Sequence, residues 1–104
     1  QLLEKKRIVM HSHFNEYAGL SQAKMKLFRK TYKKIRQNRH FALIDFVDLL
    51  DNGIYPTETS IREELHTLVT NNFIAFDPTT AKYSMQGKSM EHGLEMYVKS
   101  LKNN

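Results

Sequence analysis

The sequence predicts a mainly α-helical domain that carries one small β-hairpin. Apolar residues recur at spacings of three and four in several segments, which is typical of amphipathic helices. Two segments rich in β-forming residues flank the turn sequence Asp77-Pro78-Thr79-Thr80. The 104 residues include only four Gly and two Pro, too little turn-forming material for an all-β domain. A chain of this length fits one hydrophobic core.

The N-terminal segment, residues 1–19, has apolar positions that follow neither a helical nor a strand period throughout. We therefore assign it to a helical arm or connector and place the folded domain at residues 20–104. Because the chain begins with Gln rather than Met, we expect it to be a piece of a longer polypeptide.

The first helix of the domain is predicted to begin after Ser21, a good N-cap residue. Leu20 is expected to pack on Met25 as a hydrophobic staple. The apolar stripe of this helix consists of Met25, Phe28, Tyr32 and Ile35. The opposite surface is almost wholly basic.

A second helix is predicted over residues 41–50, closed by Asn52-Gly53 because Gly readily adopts the left-handed conformation. Its buried side is expected to carry Leu43, Phe46, Val47 and Leu50, and another side carries Asp45, Asp48 and Asp51.

After the turn at residues 55–57, a third helix is predicted, capped by Thr57 or Ser60, with Ser60 and Glu63 forming a capping box. Its stripe is Ile61, Leu65, Leu68 and Val69, and Asn71-Asn72 ends it. We expect Phe28, Phe46, Leu65 and Leu68 to be buried together where the three helices cross.

Residues 73–76 and 82–85 are predicted to form the hairpin, and a last helix is predicted from near Ser89. That helix aligns Met90, Leu94, Val98 and Leu101 on one side. The order helix, helix, tight turn, helix, hairpin, helix is that of a winged helix: a three-helix core, a wing hairpin and a C-terminal helix.

The segment from Leu20 through Phe76 also resembles a known family. The residues that carry the resemblance are Leu20-Ser21, Tyr55-Pro56-Thr57 and Leu65-x-x-Leu68-Val69 leading through Asn72 to Phe73-Ile74. They are similar to the C-terminal winged helix of origin-recognition and related AAA+ initiator proteins, a group that includes a silencing protein of budding yeast. The resemblance implies a nuclear, DNA- or chromatin-associated protein in replication or silencing.

The net charge of +5 favours a polyanionic partner. Lys and Arg gather on or just after the first helix, where they can hold DNA backbone without reading sequence. The predicted nucleic-acid-binding residues are Lys24, Lys26, Arg29, Lys30, Lys33, Lys34, Arg36 and Arg39. A solvated helix face, or a surface that docks on acidic protein, is the alternative interpretation.

The third helix departs from the pattern of DNA-reading winged helices. Its polar residues include three carboxylates against one Arg, which would repel a phosphate-lined groove. We therefore predict a protein-protein interface there and on the neighbouring strand, made by Arg62, Glu63, Glu64, Phe73, Ile74 and Phe76.

Several function classes are disfavoured. The absence of Cys removes disulfides, thiol catalysis and Cys-ligated zinc. No nucleophile with a base partner and no Gly-rich phosphate loop is present, so we expect no enzymatic activity, no cofactor and no small-molecule substrate. We interpret His11-Ser12-His13 as incidental rather than metal-binding. No apolar run is long enough to span a membrane, so we expect a soluble, intracellular protein without a membrane partner.

Three functional hypotheses follow. The leading one is a winged-helix interaction module of a DNA- or chromatin-associated protein, acting mainly in protein assembly, including homodimerisation, with non-specific DNA backbone contact. The second is a sequence-specific transcription regulator that reads DNA with the third helix. The third is a structural subunit domain of a larger complex without nucleic-acid contact.

Overall fold

The computed structural model describes residues 12–51 and 53–102. The predicted mainly helical domain with one hairpin is confirmed. Helix α1 comprises the helical residues 12–18, and a 3₁₀ helix spans Leu43–Leu49. The longer helices are α2, Gln22–Asn38; α3, Glu58–Thr70; and α4, Lys88–Lys102. Strands β1, Ile74–Asp77, and β2, Lys82–Met85, pair antiparallel with Phe76 opposite Tyr83.

Helix α2 begins as the sequence predicts, because the Ser21 side chain accepts a hydrogen bond from the Lys24 N–H at 3.2 Å. The predicted staple between Leu20 and Met25 is wrong. Leu20 is 95% exposed, since the preceding turn, with Gly19 at φ 53°, directs it away from the core. The buried face of α2 consists of Leu27, Phe28, Thr31 and Ile35, with Met25 and Tyr32 at its margins.

The second predicted helix is a 3₁₀ helix rather than an α-helix. With three residues per turn, Leu43, Phe46 and Leu49 line up toward the core, whereas Val47 and Leu50 are 43% and 41% exposed. The helix ends at Leu49, and Leu50 caps it in an extended conformation. Gly53 is not left-handed, so the predicted Gly cap is wrong, and Asn52 lies outside the described residues.

Helix α3 is capped by Thr57, one of the two predicted residues. The capping box pairs Thr57 with Ser60, not Ser60 with Glu63: the Ser60 N–H donates to Thr57 Oγ1 at 3.1 Å, and the Thr57 N–H donates to Ser60 Oγ at 3.2 Å. The helix ends at Thr70, with Asn71 as its C-cap.

The hairpin is joined to the rest of the chain on one side. Its turn is closed by Asp77, whose side chain accepts from the Thr79 N–H at 2.9 Å and whose carbonyl accepts from the Ala81 N–H at 2.8 Å. Phe41, between α2 and the 3₁₀ helix, exchanges two backbone hydrogen bonds with Tyr83, at 2.7 and 2.9 Å. One edge of the hairpin is therefore covered.

The core unites all of these elements. Phe28, Phe46, Leu65 and Leu68 are each at most 1% exposed and belong to one cluster, as the sequence predicts. The cluster also contains Phe14 of α1, whose ring centroid lies 5.0 Å from that of Phe28 and 4.8 Å from that of Phe73. The core thus extends N-terminal to residue 20, into the segment assigned to an arm or connector, because α1 presents Phe14 and Ala18 to it.

Candidate nucleic-acid interface

Seven of the eight basic side chains predicted to bind nucleic acid divide into two groups. Three of them pair with carboxylates of the domain itself. Lys30 Nζ lies 2.6 Å from an Asp48 carboxylate oxygen, and Lys34 Nζ lies 3.6 Å from Asp45 Oδ1. The Arg39 guanidinium makes two hydrogen bonds to the Glu91 carboxylate, at 2.8 and 2.9 Å.

These ion pairs connect α2 to the 3₁₀ helix and to α4. The hydrogen bond from Lys30 lowers the pKa of the Asp48 carboxyl below its ordinary value. Arg39, at the end of α2, adopts a left-handed conformation with φ 67° and reaches Glu91 on α4. Lys30, Lys34 and Arg39 therefore serve contacts within the domain. A phosphate would have to compete with those carboxylates.

The second group forms a continuous surface, which we call the basic stripe: Lys26, Arg29, Lys33 and Arg36. The spacings of three, four and three place these residues on one face of α2, over about 15 Å of helix. All four are exposed. Within the described part of the chain, no carboxylate lies within ion-pair distance of them. Glu95 and Asp48 attract Arg36 and Lys33 over a longer distance. None of the four makes a direct ion pair among the described residues, so a phosphate would displace no ion-paired carboxylate from them.

Lys24, the last predicted residue, stands apart from the stripe. Its Nζ lies 4.5 Å from the centroid of the Tyr17 ring, a cation-π contact. It is therefore held against α1.

Beside the basic stripe, α2 and α4 enclose a groove of about 510 Å³, the α2–α4 groove. Its lining consists of Arg29, Tyr32, Lys33, Arg36, Gln37, Val98 and Lys99. Arg36 Nη1 donates a hydrogen bond to the Tyr32 hydroxyl at 2.9 Å, with the guanidinium carbon 5.7 Å from the ring centroid. Lys99 pairs with Glu95 at 2.8 Å, and this contact lowers the pKa of the Glu95 carboxyl.

The predicted protein interface is only partly at the surface. Phe73 and Ile74 are 5% and 2% exposed, because both side chains pack into the core, so they offer little side-chain surface to a partner. Glu64 is partly buried and accepts hydrogen bonds from the hydroxyls of Tyr17 and Tyr55. Its carboxylate is thus turned toward the domain.

The remaining predicted interface residues, Arg62, Glu63 and Phe76, surround a second groove, of about 580 Å³, the α3–hairpin groove. His66, Thr67, Val69 and Tyr83 complete its lining. Phe76 is 42% exposed and packs on Tyr83, with the ring centroids 4.7 Å apart. Arg62 pairs with Glu58 one turn earlier, at 3.3 Å.

Strand β1 borders this groove with an open edge. The backbone of Tyr83 bonds to Phe41, so its N–H and C=O point away from β1. Phe76 and Tyr83 therefore form a non-hydrogen-bonded pair of the hairpin. The N–H and C=O of Phe76 point away from β2. In the described part of the chain these two groups have no backbone partner.

Sequence reasoning missed two features of these surfaces. The sequence predicts Tyr32 in the apolar stripe of α2, yet its hydroxyl lies at the α2–α4 groove. The spacing of four between Tyr32 and Arg36 is the sequence signal for their contact. Lys99 has no local sequence signal, because only the packing of α4 on α2 brings it to the same groove.

No metal site is seen among residues 12–51 and 53–102: they contain no group of three His, Asp or Glu side chains placed to hold an ion. His13 is exposed, and His11 lies outside the described residues. No helix within the described ranges is long and apolar enough to cross a bilayer. No family model, curated protein or solved structure matches the chain.

Proposed function

We propose that this chain is a winged-helix domain of a nuclear, DNA- or chromatin-associated protein that holds the nucleic-acid backbone without reading its sequence. The observation that carries the proposal is the basic stripe, four exposed cations on one face of α2 that make no direct ion pair with a carboxylate of the described residues. Cations that face solvent release counterions from a polyanion when they bind it, and this release supplies non-specific affinity.

The arrangement of the elements supports the winged-helix part of the proposal. Three α-helices and a 3₁₀ helix precede the hairpin, and a short bridge at Phe41 between α2 and the 3₁₀ helix joins the outer strand of the wing. Helix α3 would be the recognition helix of a DNA reader. Its exposed residues include Glu58 and Glu63, which oppose entry into a major groove, and this disfavours the sequence-specific regulator.

A matched pair of double substitutions on α2 tests the backbone contact. Lys26→Gln with Lys33→Gln removes two charges from the basic stripe, whereas Lys30→Gln with Lys34→Gln removes two charges that already have carboxylate partners. We expect the first pair to weaken binding to unrelated duplexes. It should also lower the slope of log K against log salt by about two, because each lost phosphate contact contributes about 0.9.

The second pair is the control, and we expect it to leave the slope nearly unchanged. Equal effects of both pairs would contradict the stripe as the contact surface. A preferred DNA site, with a specificity ratio on the order of a thousandfold, would support the transcription regulator instead. Absence of binding at low salt would support a structural subunit domain.

A second candidate function, self-association, is favoured by the α3–hairpin groove. Phe76 offers an exposed ring beside backbone groups that have no backbone partner among the residues the structure describes, and two-fold pairing of β1 edges would satisfy those groups. Arg62 of one copy would face Glu63 of the other at the rim. The surface is thus self-complementary in charge, as a two-fold interface requires.

Sedimentation at tens of micromolar tests this candidate. We expect a concentration-dependent dimer that Phe76→Glu dissociates, because a carboxylate at the centre of an apolar interface is costly to bury. Ile44→Glu is the control, since Ile44 is 73% exposed on the 3₁₀ helix, away from β1. A monomer at all concentrations would contradict self-association and leave a different protein as the assembly partner.

A further inference from the structure

The α2–α4 groove differs from the rest of the basic surface in shape. The basic stripe runs along one helix, but Lys99 of α4 stands on the opposite rim, so the groove has cations on both sides. Between the rims, the lining is mainly apolar and includes Val98, which is 2% exposed and forms part of the floor. A ligand that fits must therefore combine negative charge with an apolar or flat portion.

The groove also contains two planar side chains in contact, with the Arg36 guanidinium over the Tyr32 ring. Tyr32 packs against the core and is held at its hydroxyl by the Arg36 guanidinium. Aromatic rings and guanidinium planes are the two protein groups on which nucleobases stack. The pair is prearranged by a hydrogen bond of 2.9 Å, so little ordering is needed when a base binds.

These features distinguish three polyanions. A duplex keeps its bases inside the stack and would touch only the rims with its phosphates. An acidic peptide would meet the cations, but a run of aspartate or glutamate residues has no aromatic group to stack on the Tyr32 surface. A single strand supplies phosphates for both rims and an unstacked base for the floor.

We infer that the α2–α4 groove binds single-stranded nucleic acid, with phosphates on Arg29 and Lys33, a further phosphate on Lys99 in competition with Glu95, and a base against Tyr32 and Arg36. This inference rests on the proposed backbone contact and adds the class of nucleic acid. The groove, at about 510 Å³, is concave enough to enclose a base, which a single convex helix face is not.

Four probes of about 15 nucleotides or residues test it by fluorescence anisotropy at one low salt concentration. They are a mixed-sequence single strand, the same strand with abasic sites throughout, its duplex, and a polyglutamate peptide. We expect the single strand to bind roughly five- to a hundredfold more tightly than its abasic copy, since both carry the same phosphates and only one has bases to stack. It should also bind more tightly than the duplex and the peptide.

Substitutions in the groove then identify the stacking surface. Tyr32→Leu keeps apolar packing and should remove the difference between the single strand and its abasic copy, whereas Tyr32→Phe should retain it. Arg36→Lys keeps the positive charge at an exposed position and removes the planar guanidinium, so it should reduce the difference in affinity between the two strands. This variant tests the stacking surface even if Tyr32→Leu perturbs folding.

The possible results separate the class of nucleic acid bound by the groove from the proposed backbone contact. Equal affinity for the base-bearing and abasic strands, or a duplex that binds at least as tightly as the single strand, would overturn the inference and leave the backbone contact intact. Stronger binding of polyglutamate would assign the groove to an acidic protein. If no nucleic acid bound and Lys26→Gln with Lys33→Gln changed nothing, the proposed function itself would fail.

Discussion

At the scale of single residues, Glu64 shows how a charge on a surface helix can serve the fold. Its carboxylate accepts hydrogen bonds from Tyr17 of α1 and Tyr55 of the loop before α3. Burial, together with this carboxylate, raises the pKa of both tyrosine hydroxyls above their ordinary value. The two hydroxyls therefore stay protonated and donate. Glu63, its neighbour, points to solvent.

We expect Glu64→Ala to lower the free energy of unfolding by about 1–3 kcal/mol, because two partly buried hydroxyls lose their charged acceptor. Glu63→Ala is the matched control and should change it by less than about 0.5 kcal/mol. Urea denaturation of the two variants measures the difference. Equal effects of both would mean that the contacts with the tyrosines contribute nothing to stability.

At the scale of elements, α3 is the helix whose sequence pattern and packing agree most closely. Ile61, Leu65 and Leu68 are all 0% exposed, at the spacings that the stripe predicts. The 3₁₀ helix is the opposite case. Its apolar residues are so dense that a period of 3.6 and a period of 3.0 both select plausible faces, and only the packed structure places Leu49 inside rather than Leu50.

Leu65→Ala should lower the free energy of unfolding by about 2–5 kcal/mol, the range for a fully buried leucine, which is enough to unfold a marginally stable domain. Leu20→Ala makes the same chemical change at a residue that is 95% exposed, and should cost less than about 0.5 kcal/mol. The midpoints of thermal or urea unfolding report both. A small effect at Leu65 would contradict the packing of α3 on the core.

At the scale of the whole molecule, sequence signals between neighbouring residues predict most of the helices and strands. They predict fewer of the contacts that surface residues make. The Ser21 cap, the Asp77 turn and the α3 stripe depend on neighbours in sequence, so they could be predicted. The burial of Phe73 depends on α1, whose Phe14 packs on Phe73. The neutralisation of Lys30 and Lys34 likewise depends on a helix that lies elsewhere in the chain. Such long-range contacts leave no periodic signal in one sequence.

One property belongs to the molecule as a whole, its stability in alkali. Burial, the largest cause in each case, raises the pKa of Tyr17, Tyr55, Tyr83 and Tyr97 above the ordinary value of 10.0. In the unfolded chain these hydroxyls ionise near that value, whereas in the folded chain they retain their protons. The folded state then binds more protons, so its stability is fully present below pH 10.0 and falls as pH rises through the folded pKa values.

The net charge of +5 would produce the opposite trend, because loss of lysine protons relieves repulsion in the compact state. We expect tyrosine ionisation to change the free energy of unfolding more than the loss of lysine charge does, since the buried tyrosines belong to several elements of the core. We therefore predict that the midpoint of urea unfolding is lower at about pH 11 than at about pH 8. Tyrosinate absorbance separates the two causes: the folded chain should ionise fewer tyrosines than the urea-unfolded chain at the same pH. Identical tyrosine titrations in the two states, or a midpoint that rises in alkali, would contradict the burial of these hydroxyls as a determinant of stability.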